Sequence, residues 1–168
     1  MSRLTNFYRG TGTDDRGRTF NDIWAYSDDD LEGVHDFIQW IFPLRERSRF
    51  NSRAPVVTDA DVAEFRDDPD LRRNLGKSFD VFLAFLGLIY QDGRVLRGRD
   101  HEAKSEVWRF PNHNWLRITR VLSSTRMLGL EVESSAFFDF LKALKESGHS
   151  GITADTFGYW ERAATGPP

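Results

Sequence analysis

Two stretches of the 168-residue chain concentrate side chains able to bind or transfer charge: HDFIQWIFPLRER, residues 35–47, and NHNWLRITRVLSSTRMLGLE, residues 112–131. In the first, His35 beside Asp36 could serve as a general acid–base pair, and His113 with an aspartate could do the same in the second. Histidine next to aspartate is common on helices, so the structural reading of both stands first. On a helix His113 and Arg117 lie four residues apart and Arg117 and Arg120 three apart, which places them on one face opposite the apolar stripe. Forked guanidinium donors there could hold a carboxylate or a phosphate, or pair with acidic helix starts elsewhere in the chain.

Other chemistries are excluded by inventory. The chain has no cysteine, so thiolate metal sites, disulfides and a cysteine nucleophile are all ruled out. Its four histidines, His35, His101, His113 and His149, form no HExxH or HxxxH pair, and neither a metal nor a cofactor is expected. No GxSxG, P-loop or dinucleotide fingerprint occurs. The glycine-rich string GTGTDDRGR lacks the lysine–hydroxyl ending of a phosphate loop and follows no strand, so it reads as a turn-rich loop.

The elements that must position these residues are capped helices. Thr19 caps FNDIWAY with Asp22 at the third helical position, and Ser27 caps a longer helix with Asp28, Asp29 and Asp30 in its first turn, where the helix dipole favours anions. Leu31, Val34, Ile38 and Ile41 or Phe42 recur at helical spacing, which predicts one helix reaching Pro43. Residues 44–57, with no period and with Pro55, predict an extended connection. Thr58 caps DADVAEFRDD, and Pro69 opens a central helix with Leu71, Leu75, Phe79, Phe82 and Leu86 on one stripe and Gly87 as its stop.

Asp92-Gly93 between LIY and RVL is a turn signal that could close a small hairpin. The following RGRDHEAKSEVWRF predicts a mobile polar loop. Asn112 or Asn114 caps a helix with the stripe Ile118, Val121, Leu122, Thr125 and Leu128, stopped by Gly129. Ser134 or Ser135 opens the next helix, closed by Gly148, and Thr153 opens the last. The expected fold is therefore all-α: a single-domain helical bundle of about six to seven helices over residues 1–168, with a long loop or small hairpin near 88–111 and a tail at 165–168.

Composition agrees with one aromatic-rich globule: 14 Phe, 5 Trp and 4 Tyr carry much of the core volume. The net charge of −3 gives no global attraction to nucleic acid or anionic lipid. Locally, however, Arg45, Arg47, Arg49 and Arg53 face only Glu46. The start MSRLTNFYRG has no apolar leader and no run of about 18 apolar residues occurs, so a soluble, cytoplasmic chain without a transmembrane segment is expected.

The two blocks, in this order and joined by FNSRAP and the FLAFLGL helix, resemble the opioid growth factor receptor conserved-region family from about Phe7 to about Leu144. The matching motif positions include His35, Gln39, Trp40, Phe42, Pro43, Asn51 and Pro55, then His113, Asn114, Leu116, Arg117, Ile118, Thr119 and Arg120. The resemblance implies a soluble, mainly helical domain. In vertebrate members it implies a receptor for an enkephalin peptide, associated with the nuclear periphery and restraining proliferation, with peripheral membrane association. Those members carry long polar extensions, and this chain is expected to be a compact, stand-alone, microbial version.

The expected function is a non-enzymatic binding domain that recognises a peptide or protein segment. The alternatives are a scaffold or self-associating domain, and a His/Arg-dependent enzyme acting on an anionic substrate. No catalytic residue is assigned. The candidate ligand-binding residues are His35, Gln39, Trp40, Arg45, Asn51, His113, Asn114, Arg117 and Arg120, with the polar members of both blocks expected to share one groove. Nucleic acid is the weaker partner, since three arginines make a narrow footprint.

Overall fold

Short helices with strong N-terminal caps dominate the first part of the chain. In the computed structural model, which describes residues 1–148 and 150–167, α1 (Arg3–Tyr8), α2 (Phe20–Trp24), α3 (Asp28–Gly33) and α5 (Asp59–Asp67) each begin with a reciprocal capping box. The N-caps are Ser2, Thr19, Ser27 and Thr58, and the partners at the third position are Thr5, Asp22, Asp30 and Asp61. A four-residue helix α4 (Ile38–Ile41) lies between α3 and α5. His149 and Pro168 lie outside the described residues, so the expectations that touch them stop there.

Residues Met1–Ser78 form one compact unit and those from Phe79 onward another. In the first unit buried aromatic rings pack among buried aliphatic side chains. Phe7 stands edge-on to Tyr8 and Phe20, Tyr8 edge-on to Phe65, and Tyr26 edge-on to Phe37. Polar tips of these rings find partners: the Tyr8 hydroxyl donates to the Ile41 carbonyl, and the Trp24 indole donates to Ser78 Oγ at 2.9 Å. Burial pushes the Tyr8 phenol well above its ordinary value, against the lowering effect of the Ser78 hydroxyl.

Helix α6 (Pro69–Phe85) starts at the proline, and its predicted stripe Leu71, Leu75, Phe79, Phe82 and Leu86 is buried throughout. Beyond it β1 (Leu88–Gln91) and β2 (Arg94–Arg97) pair antiparallel in the register Leu88–Arg97, Ile89–Leu96, Tyr90–Val95 and Gln91–Arg94. Asp92 and Gly93, at φ +50° and +75°, make the two-residue turn whose left-handed positions match the strand twist. The second unit is completed by α7 (His113–Met127), α8 (Glu131–Glu146) and α9 (Ala154–Thr165), with α7 packed on both α8 and α9 and α8 on β2.

The mainly helical expectation holds, and the hairpin alternative is the one realised. Nine α-helices occur among the described residues, more than the six or seven expected, for two reasons. Helix α1 was not read from the sequence. The single helix expected from Ser27 to Pro43 is broken: Val34 turns extended at φ −91°, ψ 128°, ending α3, and α4 resumes only at Ile38. Residues 37–43 are all buried, so the apolar run there reflects complete enclosure rather than one stripe of a continuing helix.

Two further expectations are corrected. Helix α8 begins at Glu131 rather than at Ser134 or Ser135, because Gly129, at φ +94°, turns the chain directly into it. Ser134 is buried inside the helix, and its hydroxyl donates to the Leu122 carbonyl at 2.9 Å. The segment expected to be a mobile loop contains a 3-10 helix, Ser105–Trp108, anchored by buried His101 and Trp108, which pack on Phe140 at 6.3 and 6.4 Å.

Gly87 explains how that segment is held. Its φ is +73°, and a Cβ there would lie 2.8 Å from Cα of His101. Gly87→Ala therefore combines a left-handed backbone penalty of about 1–2 kcal/mol with a backbone clash. A loss of about 2 kcal/mol or more is expected, read as a lower urea midpoint at unchanged slope.

Candidate functional site

The loop GTGTDDRGR is built around one aspartate. Asp14 Oδ1 accepts from the backbone N–H of Arg16 at 2.8 Å and of Arg18 at 2.9 Å, while the Asp14 N–H donates to the Arg18 carbonyl at 2.8 Å. This side-chain turn is what an aspartate two residues ahead of a sharp bend provides, and Gly17 supplies the positive φ. The fold thereby presents Arg18 to three oxygens. Its guanidinium donates to Asp14 Oδ2 at 2.6 Å, to Asp36 Oδ1 at 2.8 Å and to the Tyr26 hydroxyl at 3.0 Å.

Asp36, at the head of the first block, is also paired with Arg16 at 3.0 Å. Burial alone would raise its pKa, but the hydrogen bond from Arg18 and the charges of Arg18 and Arg16 outweigh that and hold it below the usual carboxylate range. For Arg18, burial works against the charged form and the bonds to Tyr26, Asp14 and Asp36 more than compensate, so the guanidinium is pushed above its ordinary value. An acid–base role for Asp36 beside His35 is thus opposed by this pairing: the carboxylate stays ionised and committed to two arginines.

Asp15, Arg16, Arg18 and Asp36 line one side of an open recess of about 440 Å³, and Phe50, Asn51, Ser52 and Arg53 line the other. The second side comes from the aperiodic stretch after Pro43, which is tied down rather than loose. Ser48 Oγ accepts from the N–H groups of Phe50 at 3.1 Å and Asn51 at 3.2 Å, and Asn51 Oδ1 accepts from the N–H of Arg53 at 3.2 Å. The Asn51 amide donates to the Asp36 carbonyl at 3.0 Å, joining the two walls, and Arg47 donates to the Ser52 carbonyl at 3.1 Å. Phe50 is left 81% exposed at the edge of the recess.

The residues nominated from the first block divide by depth. Asn51 lines the recess. Trp40 is fully buried and reaches the recess only through Asp15: its indole N–H donates to Asp15 Oδ2 at 3.1 Å, Arg3 donates to Asp15 Oδ1 at 2.8 Å, and the Arg3 guanidinium lies 5.1 Å from the centre of the Trp40 ring. Gln39 is buried, with Oε1 lacking a hydrogen-bond partner among the described residues. His35 is exposed, and Arg45 reaches outward to Asp59 at 2.6 Å.

The second block lies in the second unit. Asn112 caps α7, accepting from the Asn114 N–H at 3.0 Å and donating to the Val107 and Phe110 carbonyls at 2.9 and 2.7 Å. His113 is exposed, but Asn114 and Arg117 are both buried, with the Arg117 guanidinium donating to Asn114 Oδ1 at 3.2 Å. Arg120 is half-buried, and burial pushes its guanidinium below the ordinary value. The arginine at the centre of the expected polar face is therefore enclosed by the fold, not displayed on it. Beside it, Trp115 donates to the Val107 carbonyl at 2.7 Å and Trp160 donates to the Trp115 carbonyl at 3.0 Å.

Sequence reasoning did not nominate Asp15, Arg16, Arg18, Phe50 or Arg53. The usable signal was Asp14 two residues before Arg16 with Gly17 following, an aspartate-turn pattern that carries the arginines with it. No cluster of three or more metal-binding side chains occurs among the described residues, and none of the described helices is long and apolar enough to cross a membrane.

Fold and site together define a mainly helical, aromatic-cored protein with an open polar recess in its first unit. The chain belongs to the opioid growth factor receptor conserved-region family, whose profile matches residues 9–165. It is 35% identical over 111 residues to the human protein named opioid growth factor receptor, covering 64% of this chain and 16% of that protein. To the mouse opioid growth factor receptor-like protein 1 it is 32% identical over 141 residues, 82% of this chain and 30% of the relative. The Xenopus tropicalis receptor-like protein 1 is 33% identical over 110 residues, 64% of this chain and 21% of the relative. The matches thus span less than a third of these relatives' lengths. No solved structure matches the chain.

Proposed function

We propose that the chain is a binding domain that recognises a short peptide or protein segment, and that the recess between the 14–18 turn and the 48–53 turn is where the segment docks. The observation that carries this reading is the recess itself: about 440 Å³, walled by ordered turns, with exposed Phe50 beside fixed polar groups. That volume falls within the roughly 300–1,000 Å³ of small-ligand sites, enough for a few residues of an extended chain. Apolar area beside a few fixed donors is how short segments are held. Ionised Asp36, held by Arg16 and Arg18, favours binding over proton transfer near neutrality. Family membership supports a receptor-like role, since a human relative bears the name of a receptor for an opioid growth factor.

The test is fluorescence anisotropy of labelled pentapeptide libraries titrated with the full chain and with Ser52→Trp, which fills the recess from an exposed position. Binding by the natural chain, and at least about tenfold weaker binding by Ser52→Trp, is the expected result. Exposed Lys142, in the second unit, is the control position, and Lys142→Ala should bind like the natural chain. Equal binding by all three proteins would place the docking site elsewhere.

A further inference from the structure

We infer that the recess selects a singly charged carboxylate on its peptide, gripped by Arg53 and flanked by an apolar side chain resting on Phe50. This deepens the proposed function and rests on it.

Among the charged side chains that line the recess, all but one are already matched. Asp36 takes Arg16 and Arg18, Asp14 takes Arg18, and Asp15 takes Arg3 and the Trp40 indole. Arg45 is used by Asp59 and Arg47 by the Ser52 carbonyl. Arg53 is the lining cation with no acidic partner among the described residues, and its side chain is exposed while its N–H is pinned by Asn51. A guanidinium held by its backbone but without a carboxylate is prepared to receive one through two parallel N–H donors.

The charge of the preferred ligand follows from the opposite wall. Asp15 and Asp36 line the recess with Arg16, Arg18 and Arg53, a formal surplus of one positive charge, so a phosphate dianion entering it brings one negative charge more than the lining can neutralise. A carboxylate monoanion matches that one cation without excess charge. The 81% exposed Phe50 lies three residues before Arg53 on the same locked turn, so a carboxylate at Arg53 brings a neighbouring apolar side chain within reach of the ring.

Four pentapeptide libraries test this: free acids without Asp or Glu, the same sequences as amides, amides containing one Glu, and amides containing one phosphoserine. They are titrated by anisotropy against the full natural chain, Arg53→Gln, Arg53→Lys and Phe50→Ala. The free-acid library, the Glu library or both should bind about tenfold more tightly than the uncharged amides. Which of the two does so distinguishes a chain end from a side chain. The advantage should vanish in Arg53→Gln and survive in part in Arg53→Lys, while Phe50→Ala weakens charged and uncharged libraries alike. Acids and amides binding equally, yet blocked by Ser52→Trp, would overturn the carboxylate and leave the peptide reading intact. Preference for the phosphoserine library would also overturn it, and failure of every library to bind would sink both.

Discussion

Replacing Arg18 by methionine is expected to cost the chain about 3 kcal/mol at pH 7, out of proportion to one loop residue. The reason is what it leaves behind. The Asp14 side chain is fully buried and Asp36 is 27% exposed, and Arg18 bonds both as well as the Tyr26 hydroxyl. Removing one partner of an enclosed pair typically costs roughly 3–5 kcal/mol, and the backbone N–H groups that still hold Asp14, the Arg16 that still pairs Asp36 and the partial exposure of Asp36 place this case near the low end. By contrast Arg3→Ala, which removes a 64% exposed partner of Asp15, should change stability by less than about 1 kcal/mol.

The same substitution has a pH signature. Asp36 has its folded-state pKa depressed, so its pairing adds stability that is fully present above the unfolded-state value of roughly 3.9 and disappears as pH falls through the lower folded-state value. The gap between the natural chain and Arg18→Met should therefore narrow as urea unfolding is moved from pH 7 to below about 3. A gap that is constant with pH would mean that Arg18 contributes packing alone.

In the second unit the largest effect is expected at Trp160. Its side chain is fully buried, its ring stands edge-on to Trp115 at 5.9 Å, and its indole N–H donates to the Trp115 carbonyl. Trp160→Ala removes this volume from a packed site and should cost about 4 kcal/mol, within the range seen for buried aromatic deletions. Trp160→Phe separates the two contributions. The Trp115 carbonyl keeps a second donor, the Thr119 hydroxyl at 3.2 Å, so no acceptor is stranded and losing the indole bond itself should cost about 1 kcal/mol. Chemical unfolding of both variants checks the ordering, and a Phe variant as unstable as Ala would shift the emphasis from volume to the hydrogen bond.

Local signals were legible wherever the physics is local. Thr19, Ser27, Thr58, Asn112 and Thr153 all cap helices as their side chains suggest, and Gly87 and Gly129 both turn left-handed where a stop was read. What escaped depends on distant partners. Val34 leaves the helix where Phe37 to Phe42 become enclosed on every side, and a run that is apolar all round has no period to reveal the break. The recess depends on Arg18 meeting Asp36, eighteen residues away, and on a turn whose residues show no periodicity at all. Arg117 looked like a displayed cation because its spacing put it on the polar face, and its burial in the fold leaves no mark on that spacing. The family resemblance carried the fold because both motif blocks mix core with polar positions, and for the same reason it did not separate ligand contacts from internal bonds.

The unequal helix lengths have a consequence in time. Helices of four to six residues, such as α1 to α4, are far below the roughly 12–15 residues at which a helix begins to persist alone in water, because nucleation fixes several dihedrals for one bond. Those segments acquire helical structure only as Phe7, Tyr8, Phe37 and Trp40 leave water together. Helices α7 and α8, of 15 and 16 residues, and a hairpin closed by a two-residue turn draw instead on contacts near in sequence, which form quickly. Kinetically, the long helices and the hairpin are expected to begin forming from local contacts, with the short helices following on collapse of the rings.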